Sequence, residues 1–248
     1  MSKILISAAI IMVATAILVA CAFLSVQPVE KKTIVISGHP DWKPFMYQNG
    51  DDISGVGVEV TTSVFKDLNI NVIPKYEGSW EVVQEKALTG EVGAIVAMYK
   101  TKEREEKYCF SIPYASDPVA LFIKGNNFTY NKKEDLIGKK GLAMMGDSYG
   151  QEMDDFIVQK NLDITRTATP QESFSLLDKG EADYFLYSAY AGRRVIEESN
   201  LSGFEEAGIA SNQLFYIAVS KKLPCDKYMN SINLSLQKMI SENKIPSY

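Results

Sequence analysis

The sequence predicts an α/β protein of two lobes, with mainly parallel sheets and two strands that cross between the lobes. Three observations lead to this prediction. Segments with helical and strand-like patterns alternate along the chain. The same helix–turn–strand pattern occurs twice, at 88–96 and 178–186, each time with a glycine expected to end the helix. Two long β-rich segments, 118–124 and 213–220, bracket the second series of alternating elements.

Each predicted element has its own signal. Runs of β-branched residues predict strands, apolar residues spaced three or four apart predict helices, and a continuous apolar run such as 94–98 predicts a strand buried on both faces. Ser79 is a suitable N-cap for the helix that follows it. The predicted strands are 33–37, 70–76, 94–98, 141–145, 164–168 and 184–187. The predicted helices are 56–68, 79–88, 151–160, 171–179, 189–199 and 226–243.

The order of these elements suggests how the chain divides into lobes. If the two β-rich segments cross between lobes, lobe 1 consists of 33–118 and 221–248, and lobe 2 consists of 125–212. Segments 119–124 and 213–220 would then form a two-stranded hinge. Such a hinge can bend without disrupting either lobe.

The N-terminus has the features of an export signal. Lys3 precedes an apolar run at 4–20, which ends in Ala20 and Cys21. This ending resembles the lipobox of bacterial lipoproteins. The resemblance implies that 1–20 is a signal peptide and that Cys21 carries a lipid that anchors the protein to a membrane.

The segment after the cysteine is expected to be a tether, at 21–32, because it is polar and has no periodicity. An uncleaved membrane anchor is the alternative, since apolar character continues to Leu24. Both interpretations place 25–248 outside the cytoplasm, on the periplasmic or extracellular face.

Composition and cysteine content exclude several classes of protein. The formal net charge is −5 and no stripe of Lys and Arg is present, which excludes a nucleic-acid partner. No His/Cys cluster has metal-ligand spacing, so we expect no metal and no cofactor. Cys109 and Cys225 could pair outside the cytoplasm, but Cys109 lies in an apolar stretch, which favours a buried free thiol. The single histidine, His39, is interpreted as a loop residue with local partners, and a position at a cleft mouth is the alternative.

Several short motifs occur in a specific order. They are Trp42-Lys43-Pro44-Phe45, Gly55-x-Gly57-Val58-Glu59-Val60, Trp80, Leu88-Thr89-Gly90, Thr101-x-x-Arg104, Phe110-Ser111-x-Pro113-Tyr114, Gly138-Lys139-Lys140-Gly141 and Gly180-Glu181-Ala182-Asp183. Each motif alone is weak, but the ordered set is specific. Over 33–245 the chain resembles the family 3 extracellular solute-binding proteins, the type II periplasmic receptors that deliver polar amino acids to ABC importers.

The resemblance implies a fold, a function and partners. It implies a type II periplasmic-binding-protein fold and a monomer without enzymatic activity. The monomer would bind an amino acid or a related small carboxylate between its lobes and then dock on an ABC permease in the membrane. A sensor module for a small solute is one alternative. A dehydratase on the same fold is another, for which Asp147 and His39 are the only acid–base candidates.

Three residues of lobe 1 are the first candidates for ligand contact. The resemblance places the carboxylate-binding arginine at Arg104, and a guanidinium can give a carboxylate two parallel hydrogen bonds. The charged run around it would otherwise favour a surface arginine. The resemblance also places ligand-sandwiching aromatic rings at Trp42 and Trp80. Core packing is the alternative for each tryptophan.

Two further segments are implied as contacts. Ala97, Met98 and Tyr99 end a buried strand, where the family often carries Ser or Thr, so backbone contacts would persist while two hydroxyls are lost. Asp147 and Ser148 lie at a strand-to-helix turn, where free N–H groups favour an anion. N-capping of the helix by either residue is the alternative and is compatible with ligand contact.

The main departure from the family pattern is at Ser188. The resemblance places there an aspartate that holds the ligand ammonium, whereas serine carries no charge. Asp147 could supply the missing charge from the neighbouring turn. Alternatively, the ligand is a carboxylate without an amine.

Overall fold

The computed structural model describes residues 32–125 and 128–246. The predicted signal peptide, the predicted lipidation site Cys21 and nearly all of the predicted tether lie outside the described residues. Within the described ranges, no helix has both the length and the apolar character required to cross a membrane.

Strands and helices alternate, as the sequence predicts. The strands are β1 Thr33–Ser37, β2 Asp41–Trp42, β3 Met46–Asn49, β4 Asp52–Ser54, β5 Asn71–Pro74, β6 Ala94–Met98, β7 Tyr108–Phe110, β8 Ala115–Lys124, β9 Lys140–Met144, β10 Asp163–Thr167, β11 Tyr184–Ser188 and β12 Phe204–Ser220. The helices are α1 Val56–Asp67, α2 Trp80–Thr89, α3 Lys102–Lys107, α4 Gln151–Gln159, α5 Pro170–Asp178, α6 Ala189–Glu198 and α7 Cys225–Ser241, with a short 3₁₀ helix at Lys133–Leu136.

One mixed sheet runs through the molecule in the order β10-β9-β11-β8-β12-β6-β1-β5, and β7 also pairs with β12. Parallel pairs lie towards its two ends, where β1 pairs with β5 and β6, and β9 pairs with β10 and β11. We call the β5-β1-β6 side lobe 1 and the β10-β9-β11 side lobe 2. Short parallel strands linked by helices account for the alternating pattern in the sequence.

The centre of the sheet is antiparallel and consists of two long strands. β8 and β12 pair from Phe204 opposite Lys124 to Phe215 opposite Ala115. β8 then pairs with β11 of lobe 2, and β12 pairs with β6 of lobe 1. These two strands contain the β-rich segments that the sequence predicts to cross between lobes. The exact lobe boundaries stay a prediction.

The sheet of lobe 1 carries helices on both faces. β6 is buried at all five positions, as its continuous apolar run predicts. Ala94 and Val96 belong to the main core, which also contains residues of α1. Ile95 and Met98 pack in a second cluster with residues of α2, such as Val83. Ala94 and Val96 thus pack in one layer and Ile95 in the other, whereas Met98 packs with Ile95 although strict alternation along the strand would place it with Ala94 and Val96.

The repeated helix–turn–strand unit has the expected geometry in both lobes. Gly90 caps α2 with a φ of 89°, and its N–H donates to the Lys86 carbonyl at 3.1 Å. Gly180 follows α5 with a φ of 70°. Both values lie in the left-handed region that favours glycine. Ser79 is the N-cap of α2 as predicted, but its side chain makes no capping hydrogen bond.

The expectation of a buried free thiol at Cys109 is wrong, because Cys109 and Cys225 form a disulfide with a Cα–Cα distance of 6.0 Å. The cause is the topology of β12. Its antiparallel pairing places Val219 opposite Cys109, and α7 begins with Cys225 shortly after β12 ends at Ser220. Two cysteines 116 residues apart are thereby brought together.

Candidate functional site

A small cavity of ≈ 10 Å³, about the space of one water molecule, lies where residues of lobe 1 meet the turn that follows β9 of lobe 2. Eight of the nine predicted contact residues line this cavity, and Ser188 does not. Three lining residues were not predicted as contacts. The lining residues are His39, Trp42, Met46, Trp80, Ala97, Met98, Tyr99, Arg104, Asp147, Ser148 and Phe215.

The two tryptophans are held by hydrogen bonds as well as by packing. Trp42 on β2 is 4% exposed, and its Nε1 donates to Asp117 Oδ2 at 2.7 Å. Trp80 begins α2, and its Nε1 donates to the Gly146 carbonyl of lobe 2 at 3.0 Å. A buried indole N–H needs a hydrogen-bond acceptor. These two hydrogen bonds supply one for each tryptophan and hold both rings at the cavity wall.

Arg104 lies in the short helix α3, whose N-cap Thr101 accepts a hydrogen bond from the Arg104 backbone N–H at 3.2 Å. The guanidinium is buried and donates through Nη1 to the Tyr99 carbonyl at 3.0 Å and through Nη2 to the Gly146 carbonyl at 3.4 Å. It forms no salt bridge with any carboxylate of the described residues. Burial lowers the pKa of this guanidinium. A buried guanidinium that forms no salt bridge is suited to binding an anion.

The end of β6 forms the floor of the cavity. Ala97, Met98 and Tyr99 are all at most 3% exposed. The Tyr99 hydroxyl donates to Asp117 Oδ2 at 2.5 Å, and its backbone carbonyl holds Arg104. Tyr99 therefore acts as a support for two neighbouring charged groups.

Asp117, on β8, is a buried carboxylate that the sequence did not single out. Its Oδ2 accepts from Trp42 and Tyr99, and its Oδ1 accepts from the Ser188 hydroxyl at 2.7 Å. Burial raises the pKa of Asp117 to about 6, although the three hydrogen bonds oppose this shift. Ser188 is fully buried, lies behind the cavity wall and also accepts from the Ala191 N–H at 3.2 Å.

Asp147 and Ser148 follow β9 and have different surroundings. The Ser148 hydroxyl donates to the Asp154 carboxylate and accepts from the Gly150 N–H at 3.1 Å, so it is engaged within its own turn. The N-cap of α4 is Gly150 rather than Asp147 or Ser148. Both carboxylate oxygens of Asp147 are buried and have no hydrogen-bond partner in the described residues.

His39 lines the cavity and is 2% exposed, so its buried position was missed by the sequence interpretation. Its Nδ1 accepts from the Asp41 N–H at 3.0 Å, and its Nε2 lies 3.5 Å from Asp147 Oδ1. Burial lowers the pKa of His39 to about 3. Met46 and Phe215 are the other unpredicted lining residues, and nothing in their local sequence distinguishes them from core residues.

A wider groove adjoins the cavity. Arg104, Asp147 and Ser148 line both, and the groove also contains polar residues of α2, α3 and α4, together with Arg166. The charged groups of the cavity therefore adjoin a route to solvent.

Residues 34–246 match the sequence model of the bacterial extracellular solute-binding proteins, family 3. The chain belongs to this family. Family 3 members are binding proteins, and their extracellular designation places them outside the cytoplasm.

The relatives found by sequence are distant, and each alignment covers only part of the relative. The L-cystine-binding protein TcyJ of Escherichia coli strain K12 is 25% identical over 177 residues, which cover 69% of this chain and 64% of the relative. The probable amino-acid-binding protein YxeM of Bacillus subtilis strain 168 is 24% identical over 151 residues, covering 58% of this chain and 55% of the relative. The alignments thus span less than two thirds of either relative's length.

Solved structures share the fold of this family 3 chain. A histidine kinase sensor domain with similarity to periplasmic binding proteins aligns with a TM-score of 0.76 at 20% identity, covering 87% of this chain and 94% of that chain. An ancestral arginine-binding protein bound to arginine aligns with a TM-score of 0.72 at 20% identity, covering 86% and 94% respectively. The predicted two-lobed fold is confirmed by this likeness.

Proposed function

We propose that this protein is the substrate-binding lipoprotein of an ABC importer and binds an amino acid or related small carboxylate in the cavity between its lobes. Arg104 carries the proposal. It is a buried guanidinium without a carboxylate partner among the described residues, at a cavity walled by Trp42 and Trp80. A ligand carboxylate is the anion that would complete this arrangement. The amino-acid-binding relatives support the same ligand class.

In this proposal, binding is coupled to lobe closure. Arg104 comes from lobe 1, whereas Gly146, Asp147 and Ser148 come from lobe 2. A ligand that contacts both sets stabilises the closed form over the open form, and β8 and β12 supply the hinge. The closed monomer would dock on the permease, and the lipid on Cys21 would keep it at the membrane.

The test is a thermal-shift screen of the full chain in detergent micelles against amino acids, amines and small carboxylates. A ligand that binds only the folded state at 100 times its Kd adds about 2.7 kcal/mol to the free energy of unfolding. We expect an amino acid to raise the Tm, Arg104→Ala to abolish the rise, and Arg194→Ala to leave it unchanged. Arg194 is a suitable control because its side chain is 56% exposed and pairs with Glu197.

Two results would overturn the proposal. One is a screen in which no amino acid or carboxylate raises the Tm. The other is a ligand-induced rise that Arg104→Ala leaves intact.

For the anchor, Cys21→Ser expressed in bacteria should move the protein out of the lipid-labelled membrane fraction. Retention of the label would exclude Cys21 as its site.

A further inference from the structure

The backbone carbonyl of Gly146, in lobe 2, accepts hydrogen bonds from three side chains of lobe 1. Trp80 Nε1 donates to it at 3.0 Å, and Gln84 Nε2 and Arg104 Nη2 each donate to it at 3.4 Å. Arg104 is the residue that the proposed function offers to a ligand carboxylate. One terminal nitrogen of its guanidinium is thus already engaged by the backbone of the opposite lobe.

The packing around Gly146 is as close as these hydrogen bonds require. A methyl group added to Gly146 would lie 3.0 Å from Glu81 Cγ, 3.1 Å from Gln84 Nε2 and 3.2 Å from Trp80 Cδ1, and all three side chains belong to α2 of lobe 1. Carbon atoms in favourable contact are about 3.5–4.0 Å apart. The α2 helix and the turn after β9 therefore leave no space between them at this point.

A ligand cannot reach Arg104 while this contact is in place. The cavity beside it is ≈ 10 Å³, which holds about one water molecule, and an amino-acid head group is larger than that. Binding at Arg104 therefore requires Gly146 and α2 to move apart.

A ligand carboxylate is able to displace the Gly146 carbonyl. The carbonyl is neutral, and two of its three hydrogen bonds are longer than the usual N–H···O limit of about 3.2 Å. A carboxylate accepts more strongly from a guanidinium and can take two parallel hydrogen bonds from it. Other contacts between the lobes use no group that the ligand needs, such as the one from the Tyr187 hydroxyl to the Asp41 carbonyl, and these can persist in the bound form.

We propose that the Gly146 carbonyl is an internal competitor of the ligand: it holds lobe 2 against Trp80, Gln84 and Arg104 in the ligand-free protein, and the ligand binds by displacing it. We call this arrangement the self-closed form. The competition rests on the proposed function, whereas the self-closed form does not. Burial of the Trp42 and Trp80 rings, which are 4% and 6% exposed, favours the self-closed form further. Ligand affinity is then reduced by the fraction of the protein in this form.

Gly146→Ala separates the lobes at this contact, and Gly180→Ala is its matched control. Gly146 and Gly180 both lie in lobe 2 and both have a φ of 70°, so alanine introduces the same left-handed backbone strain at either position. An added methyl group on Gly180 has no described heavy atom within 4 Å. Only Gly146→Ala pushes against α2, so the difference between the two variants reports the contact and not the strain.

Tryptophan fluorescence detects the self-closed form without a ligand. Trp42 and Trp80 are the two tryptophans of the sequence, and both line the cavity. The full chain in detergent micelles is titrated with acrylamide, which quenches exposed indoles. We expect equal quenching constants for wild type and Gly180→Ala, and a constant about threefold larger for Gly146→Ala, because the open population rises.

Gln84→Ala serves as a second variant, which keeps the test decisive if Gly146→Ala does not fold. It removes one of the three donors to Gly146 without adding bulk. Its quenching constant should rise by a smaller factor than that of Gly146→Ala. Quenching equal to that of wild type in every variant that folds overturns the inference.

Isothermal titration with L-arginine, L-glutamine and L-cystine tests the competition. A probe that binds should bind about threefold more tightly to Gly146→Ala than to Gly180→Ala, because less of the protein is self-closed. Equal or weaker binding to Gly146→Ala overturns the competition and leaves the proposed function intact. If no amino acid or carboxylate binds any of the proteins, the proposed function and the competition both fail, whereas the quenching difference still supports the self-closed form.

Discussion

At the residue scale, the cavity is built around two buried acids with opposite environments. Asp117 accepts hydrogen bonds from both lobes, since Trp42 and Tyr99 belong to lobe 1 and Ser188 to lobe 2. It lies on the crossing strand β8 and so fixes the side chains that stand beneath the ligand space. Asp147 has no such partners and faces that space. The two aspartates therefore differ in their hydrogen-bond partners: Asp117 has a structural role, and Asp147 is a candidate for ligand binding.

Protonation of Asp117 should affect stability in a defined pH window. Burial raises its folded-state pKa to about 6, above the ordinary aspartate pKa of 3.8. The stabilising effect of protonation is therefore fully present below about pH 4 and is lost as the pH rises through 6. We expect the free energy of unfolding of wild type, minus that of Asp117→Asn, to fall by about 2 kcal/mol between pH 4 and 6.

Urea unfolding of both proteins at several pH values measures this difference. His39 acts in the opposite sense, because its lowered pKa makes stability fall as the pH drops below 6.5, towards 3. It does so in wild type and variant alike, so its contribution cancels in the difference. A difference that is constant from pH 4 to 6 would contradict the assignment of the raised pKa to Asp117.

The sequence was informative for residues with recognisable motifs and silent for the others. Arg104 could be singled out because Thr101 and a downstream aromatic motif frame it. Asp117 could not, because it stands in a β-rich segment without any motif, and its role arises from side chains 18 to 75 residues away. His39 has one local partner, Asp41, but its contact with Asp147 depends on how the lobes meet.

At the element scale, periodicity located every long helix and the parallel strands but missed short elements. The small sheet β2-β3-β4 consists of strands of two to four residues, too short to show alternation. Helix α3 has the sequence Lys-Glu-Arg-Glu-Glu-Lys and no apolar face. These two elements carry Trp42 and Arg104, so the parts of the fold hardest to predict are those that position the site.

The disulfide fastens two elements of lobe 1, and its removal should destabilise the protein. Cys109 lies on β7 and Cys225 begins α7, with 116 residues between them in sequence. Closing a loop of this length restricts the unfolded chain, so we expect Cys109→Ala/Cys225→Ala to lower the free energy of unfolding by about 2–5 kcal/mol. The double variant is compared with wild type by urea unfolding under non-reducing conditions.

Ligand affinity should be unchanged in this variant. Neither cysteine lines the cavity, and α7 stays packed through its buried residues Ile232, Leu236 and Met239. Wild type treated with a reductant serves as a second control and should lose the same stability. Equal stability of wild type and double variant would show that the bridge does not form in the folded protein.

At the scale of the whole molecule, side-chain contacts join lobe 1 to lobe 2. Tyr187 of β11 donates its hydroxyl to the Asp41 carbonyl at 2.5 Å, and Lys43 pairs with Glu198 at 2.9 Å. The first contact is buried at Tyr187, whereas both partners of the second are at least 40% exposed. Their contributions to closure should differ accordingly, since exposed ion pairs contribute little.

Tyr187→Phe therefore tests closure without altering a residue that lines the cavity. The change removes one hydroxyl and leaves the Asp41 carbonyl without this donor, which weakens the closed state by about 1 kcal/mol and ligand affinity by about fivefold. The loss should appear mainly in the dissociation rate, with a larger radius of gyration for the ligand-free variant in X-ray scattering.

Lys43→Ala is the control, because Lys43 also makes a contact between the two lobes. Its smaller effect should vanish in high salt, whereas that of Tyr187→Phe should persist. If Tyr187→Phe binds and dissociates like wild type, closure is not the step that retains the ligand.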